Sequence, residues 1–253
     1  MSTSRREADF LPAARRRIVS FIREFAKGSP NGVVLGISGG VDSALVAYLA
    51  VEALGKEKVL GILMPSSTTP KSDIEDALEV CRLLGVEHQT HSIDPVFSAF
   101  TTLLKEKKDK ITEGNLKARI RMCVLYWYAN SMNKLVIGTD DKSEHTLGFF
   151  TKYGDGGVDF NPIGDLYKTE VREMSKMMGV PKSIVSKPSS PRLWEGHEAE
   201  TELGISYAEL DKQLISNNVK DEKIRLMIKR NAHKSGDPPI PSLEDLRVEA
   251  RSR

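Results

Sequence analysis

Cysteine is scarce in this chain: Cys81 and Cys123 are the only two in 253 residues. That excludes a disulfide-stapled secreted scaffold, and two thiols alone do not complete a zinc site. Both fall in apolar helical patterns, so a reduced, buried role and a cytoplasmic location are expected. An excess of one charge is also lacking. Lys and Arg number 37 against 35 Asp and Glu, a net charge of +2. A nucleic-acid binder carries a strong basic excess, so no nucleic-acid partner is expected. The run Lys105 to Lys110 mixes both signs and reads as a solvated loop. No apolar run approaches the roughly 20 residues of a membrane-spanning helix, so no membrane partner is expected. Met1 to Arg6 is polar and basic with no apolar stretch behind it, and no secretory signal is expected there.

What is present is an ordinary globular composition, 40% hydrophobic and 28% charged. The pattern predicts helices over 9–27, 43–54, 73–84 (capped by Ser72), near 95–104, over 115–132 and over 167–178. Short apolar runs at 33–37, 59–64, 88–93 and 135–137 predict strands between them. Strands alternating with helices imply right-handed βαβ units. The expected fold class is therefore α/β: a doubly wound, mostly parallel sheet with helices on both faces. One domain is expected over 1–253, with the sheet core at about 30–140 and C-terminal helices and loops over 141–253. His88 and His91 cannot chelate together on one strand, because residues three apart face opposite sides.

The densest signal is Ser38-Gly39-Gly40-Val41-Asp42-Ser43, placed between the first strand and the second helix. Strand, Gly-Gly turn and helix start make an anion site, with backbone N–H groups and the helix dipole converging on one spot. Ser38 and Ser43 add hydroxyl donors. Asp42 is the odd member: a carboxylate in a phosphate cradle repels its ligand unless a cation lies between them, which points to polyphosphate with Mg²⁺. The Walker loop is excluded, since no lysine follows Gly40 before Lys56, and the spacing is not the dinucleotide Gly-x-Gly-x-x-Gly. A plain βα turn with an aspartate N-cap is the bland alternative. Gly138-Thr139-Asp140 ends another strand, so both segments belong to one edge of the sheet.

The loop resembles that of the ATP pyrophosphatases (the PP-loop enzymes), whose Rossmann-like fold the expected sheet matches. Four further segments narrow the resemblance: Asn115 to Met122, Gly138 to Glu144, Gly148-Phe149-Phe150-Thr151-Lys152-Tyr153-Gly154-Asp155-Gly156-Gly157, and Leu193-Trp194-Glu195-Gly196 with Glu202 to Tyr207. Together they resemble the ammonia-dependent NAD synthetases over about residues 15–240. That resemblance implies a ligase. Nicotinate carboxylate of deamido-NAD attacks the α-phosphorus of ATP, pyrophosphate leaves, and ammonia displaces AMP from the adenylated intermediate to give NAD, ending NAD biosynthesis. It also implies a homodimer.

The resemblance assigns roles residue by residue. Asp42 and Glu144 match the Mg²⁺ ligands. Ser38, Gly39, Gly40, Val41, Asp42 and Ser43 match the pyrophosphate loop, and Thr139, Lys168 and Ser189 fall where ATP is contacted. Asp42, Glu144 and Lys168 are the implied catalytic set. Arg119, Lys152, Asp159, His233 and Lys234 match the deamido-NAD side. Lys168 also reads as a solvated helix-start lysine, Asp159 as a turn aspartate, and His233-Lys234 as favourable charge after a helix. The chain departs from the family pattern at His197-Glu198-Ala199-Glu200, at the preceding loop 189–194, and at Ser235. The region around 189–200 reads as a lid over ATP. With no room expected for a glutaminase domain and no nucleophilic cysteine context, free ammonia is the expected nitrogen source, without a separate glutaminase. The helix 115–132 is apolar nearly all round, so burial in a core or a subunit interface is expected. The competing readings are another ATP pyrophosphatase or a non-catalytic nucleotide sensor.

Overall fold

The computed structural model describes residues 3–104, 109–243 and 247, and side chains from residue 9 onward. Most of the run Lys105 to Lys110 lies outside the described residues. The elements follow in chain order: α1 (Thr3–Phe25), β1 (Val33–Gly36), α2 (Val41–Leu54), β2 (Val59–Leu63), α3 (Lys71–Leu84), β3 (Glu87–Thr90), α4 (Asp94–Leu103), α5 (Lys110–Met132) and β4 (Leu135–Val136). The C-terminal part adds α6 (Lys142–Leu147), α7 (Lys168–Met177), α8 (Lys182–Ser186), α9 (Ala199–Leu203), α10 (Tyr207–Ile215) and α11 (Glu222–Asn231).

The strands form one parallel sheet in the order β3-β2-β1-β4. Alternation along β1 sends Val33 and Leu35 to one face and Val34 to the other. The first face packs on α1, α2 and α7, through Ile22, Leu45, Leu49, Val171 and Met174. The second packs on α5, where Ala129 meets Leu60, Ile62 and Val136. Helices thus cover both faces of a parallel sheet, as expected. The chain runs outward from β1 to β2 and β3, then returns to place β4 on the other side of β1. The gap between the carboxyl ends of β1 and β4 is the topological switch point, where such sheets bind ligands. A smaller apolar cluster, Leu147, Ala199, Leu203, Tyr207, Leu210 and Ile224, holds α6, α9, α10 and α11 together.

Several boundaries differ from expectation for local reasons. α5 begins five residues earlier than the apolar pattern predicts, because Asp109 caps it, its Oδ1 accepting from Thr112 N–H at 2.8 Å. Pro70 rather than Ser72 precedes α3, and Ser72 is helical. Asp42 is not an N-cap: Gly40 holds that place and Asp42 is the second helical residue. The expectation that both cysteines are buried holds for Cys81 alone, since Cys123 is exposed on the outer face of α5. That face also carries Trp127 at 73% exposure, so α5 is not enclosed within the single chain.

Candidate active site

Three carboxylates meet around one ammonium beyond the ends of β1 and β4. Lys168 Nζ lies 2.7 Å from Asp42 Oδ1, 2.9 Å from Glu144 Oε1 and 3.0 Å from Asp141 Oδ2. The four groups arrive on three helices. Asp42 opens α2, and Asp141 and Glu144 form the capping box of α6, with Glu144 N–H donating to Asp141 Oδ1 at 2.8 Å. Lys168 opens α7 and is fully buried, so the reading of a solvated helix-start lysine is excluded. Its backbone N–H donates to Ser143 Oγ at 3.0 Å, and Ser143 in turn donates to the buried Asp211 at 2.5 Å. The α6–α7–α10 junction therefore fixes where the ammonium stands.

Carboxylates outnumber the ammonium three to one, and that imbalance sets the electrostatics. Burial disfavours the Lys168 charge, but Asp141, Asp42 and Glu144 more than offset it and hold the pKa well above the lysine range. Burial, then the Asp141 charge, pushes Glu144 well above the carboxylate range. Asp141 is pushed up to about 6, burial again being the main cause. Asp141 Oδ2 has no hydrogen-bond donor in good geometry although it is buried. Carboxylate oxygens of Asp42, Asp141 and Glu144 lie within 4.8 Å of one another. Hard oxygen donors with surplus negative charge suit Mg²⁺.

The phosphate loop adjoins this cluster. Ser38 and Ser43 hydroxyls are 3.0 Å apart, Gly40 N–H donates to Ser38 Oγ at 3.2 Å, and Ser43 Oγ donates to Gly40 O at 3.1 Å. Gly39 has φ +79°, and a Cβ there would lie 2.1 Å from Asp73 O, so only glycine fits. One cleft is lined by Ser38, Asp42, Ser43, Thr139, Glu144 and Ser189. Its other wall is apolar, with Ile62, Leu63, Leu125 and Val158. Lys168 stands behind the carboxylates and is not part of this wall. Ser189 Oγ accepts from Arg172 at 3.0 Å.

The second group of expected residues gathers about the 148–157 segment. Exposed Arg119 donates from Nη2 to Lys152 O at 3.3 Å, and Lys152 Nζ donates to His233 O at 2.7 Å. Lys234 Nζ donates to Gly148 O at 2.7 Å and Phe150 O at 2.9 Å. Asp159 stands apart: its Oδ2 accepts from Val136 N–H at 2.7 Å and its Oδ1 from Tyr126 at 3.1 Å, tying it to β4. Sequence reasoning missed Asp141, Asp73, Lys187 and Asp211. Asp141 had one visible signal, the Asp-x-x-Glu spacing to Glu144 that marks a capping box.

The model of the family described as NAD synthase matches residues 14–237. The chain belongs to the NAD synthase family. A relative from Methanococcoides burtonii named NH(3)-dependent NAD(+) synthetase is 49% identical over 253 residues, covering 92% of this chain and 96% of the relative. One from Archaeoglobus fulgidus with the same name is 51% identical over 242 residues, covering 91% and 96%. Among solved structures, an NMN synthetase from Francisella tularensis superposes with a TM-score of 0.86 at 35% identity, covering 92% of this chain and 98% of that one. An NH3-dependent NAD synthetase from Campylobacter jejuni, solved with nitrate, gives 0.75 at 35% identity, covering 92% and 99%. The fold is thus that of an NAD synthase. No helix among the described residues is long and apolar enough to cross a membrane.

Proposed function

We propose that this chain converts deamido-NAD, ATP and ammonia into NAD, AMP and pyrophosphate, the final step of NAD biosynthesis. The observation that carries the reading is the convergence of the Ser38–Ser43 loop with Asp42 and Glu144 on one switch-point cleft, with the buried Asp141 carboxylate grouped behind them. No side chain of the protein has to act as nucleophile. The substrate carboxylate attacks the α-phosphorus, the bond to the β-phosphate oxygen breaks, and pyrophosphate leaves. Ammonia then attacks the acyl carbonyl, and AMP departs with the former carboxylate oxygen. The protein contributes position and fixed charge.

The apolar wall of Ile62, Leu63 and Leu125 suits the adenine of ATP. Thr139 and Ser189 offer hydroxyls at the same cleft, and Ser38 and Ser43 border the place where the β,γ-phosphates would lie. Asp42 and Glu144 would hold Mg²⁺, which supplies charge neutralisation of the polyphosphate when bound. Lys168 holds both carboxylates in place through its contacts of 2.7 Å to Asp42 and 2.9 Å to Glu144. Arg119, Lys152, His233 and Lys234 form the acceptor side, with Asp159 supporting its far end. The whole chain, 1–253, acts as one catalytic unit located in the cytoplasm. Two copies associate through the outer face of α4 and α5, which pack together and expose Val96, Phe100, Leu103 and Trp127.

A second acceptor has one supporting observation, the TM-score of 0.86 to the NMN synthetase from Francisella tularensis. That acceptor is the deamidated mononucleotide. Purified protein given Mg²⁺-ATP, ammonium and equal amounts of both acceptors separates the two. NAD as the main product is expected. NMN as the main product would replace the dinucleotide with the mononucleotide as substrate.

A further inference from the structure

The segment following α8 roofs the cleft, with Ser189, Ser190, Arg192 and Ala199 on its inner side. Arg192 is its unusual member. Its φ of +52° places a long side chain in the left-handed region, a costly conformation retained where the surroundings require it. Its guanidinium is aimed at the phosphate-loop end: Nε lies 2.6 Å from Asp73 Oδ2 and Nη2 donates to Oδ1 at 3.4 Å. Asp73 is buried and its backbone carbonyl is the atom that a Cβ on Gly39 would strike. The guanidinium is therefore parked beside the phosphate loop.

Asp73 is shared by two cations, which are not equivalent. Lys187 Nζ donates to Asp73 at 2.8 Å and Gly39 O at 3.2 Å, and also pairs with Asp76. It is locked by three acceptors. Arg192 has Asp73 alone among the described residues, and its side chain is 27% exposed. If Arg192 leaves, Asp73 keeps Lys187, so the heavy penalty of stranding a buried charge is not incurred. The cleft wall holds only one other cation among the described residues, Arg121, which donates to Met64 O at 3.0 Å. The phosphate end thus has carboxylates, a buried lysine behind them, and one cation free to turn.

We propose that Arg192 is a polyphosphate-binding residue, exchanging Asp73 for the β,γ-phosphates of ATP and drawing the roof segment onto the nucleotide. This rests on the cleft being the ATP site. A guanidinium suits the role because its planar fork pairs with phosphate oxygens in a bidentate way that a lysine cannot copy. A polyphosphate also outcompetes a single carboxylate by charge.

The test measures kcat, the KM values for ATP and for the acceptor, and inhibition by inorganic pyrophosphate for Arg192→Gln and Arg192→Lys. Calorimetric titration of ATP and of pyrophosphate in the absence of acceptor runs alongside. Arg192→Gln is expected to weaken ATP and pyrophosphate about tenfold, leaving the acceptor KM within about twofold, and Arg192→Lys to recover part of the loss. Unchanged ATP and pyrophosphate affinities would overturn the assignment, as would equal rises in both KM values. If the glutamine variant fails to fold, the lysine variant decides: wild-type affinity for pyrophosphate would count against the fork, and a measurable loss would support it. The titrations need no acceptor, so a wrong acceptor leaves them intact. Wild-type protein that binds neither ATP nor pyrophosphate would instead overturn the nucleotide reading of the cleft.

Discussion

Lys168 is 126 positions from Asp42 in sequence and 2.7 Å from it in space. Its removal leaves Asp42, Asp141 and Glu144 facing one another without a cation. Lys168→Met is expected to cost about 3–5 kcal/mol of stability, the usual penalty for breaking a buried pair, read by urea unfolding. An unchanged midpoint would mean that the cluster is held by other contacts. The same imbalance gives a pH dependence. The folded pKa of Asp141, about 6, lies above its ordinary value of 3.8, so the folded state binds the extra proton. The metal-free protein therefore has this contribution in full below about pH 4 and loses it as pH rises through about 6. Mg²⁺ should then raise Tm more at about pH 8 than at about pH 5, where protons compete for the same carboxylates. An equal effect at both values in a calorimetric scan would place the ion elsewhere.

At the scale of elements, the site depends on how α6, α7 and α10 meet. Asp211 on α10 accepts from Ser143 at 2.5 Å and from Thr169 N–H at 2.9 Å, and it touches none of the cleft. Asp211→Ala is expected to lose about 1–3 kcal/mol from the stranded donors and to lower kcat more than either KM. Wild-type kcat in a destabilised variant would show that the junction does not position Lys168. Gly39→Ala should abolish ATP binding, since the added carbon would meet the α3 backbone at 2.1 Å. Contiguity decided what was legible here. The phosphate loop and the 148–157 segment are continuous strings, and strand, turn and helix follow from their local pattern. The Lys168 cage and the Asp73–Lys187–Arg192 cluster come from elements far apart in the chain, and no local periodicity links them. The start of α5 was hidden for another reason: its cap, Asp109, lies in a charged run that reads as a loop.

At the scale of the molecule, the doubly wound sheet was legible because strands and helices alternate with short connections. The single-chain surface was not. Periodicity marks α5 as apolar all round, yet it cannot say that Trp127 and Cys123 face outward until β4 fixes the helix rotation. An exposed indole on α5, with Val96, Phe100 and Leu103 exposed on the neighbouring α4, predicts a dimer by light scattering at micromolar concentration, and Trp127→Glu should shift it towards monomer. A monomeric wild-type mass would remove the dimer. The central claim, however, is chemical: the cleft brings a substrate carboxylate to the α-phosphorus of ATP. Turnover with deamido-NAD carrying oxygen-18 in its carboxylate tests it directly, by mass spectrometry of AMP and pyrophosphate. The account predicts label in AMP, transferred through the adenylated intermediate, and none in pyrophosphate. Unlabelled AMP formed together with NAD would contradict it.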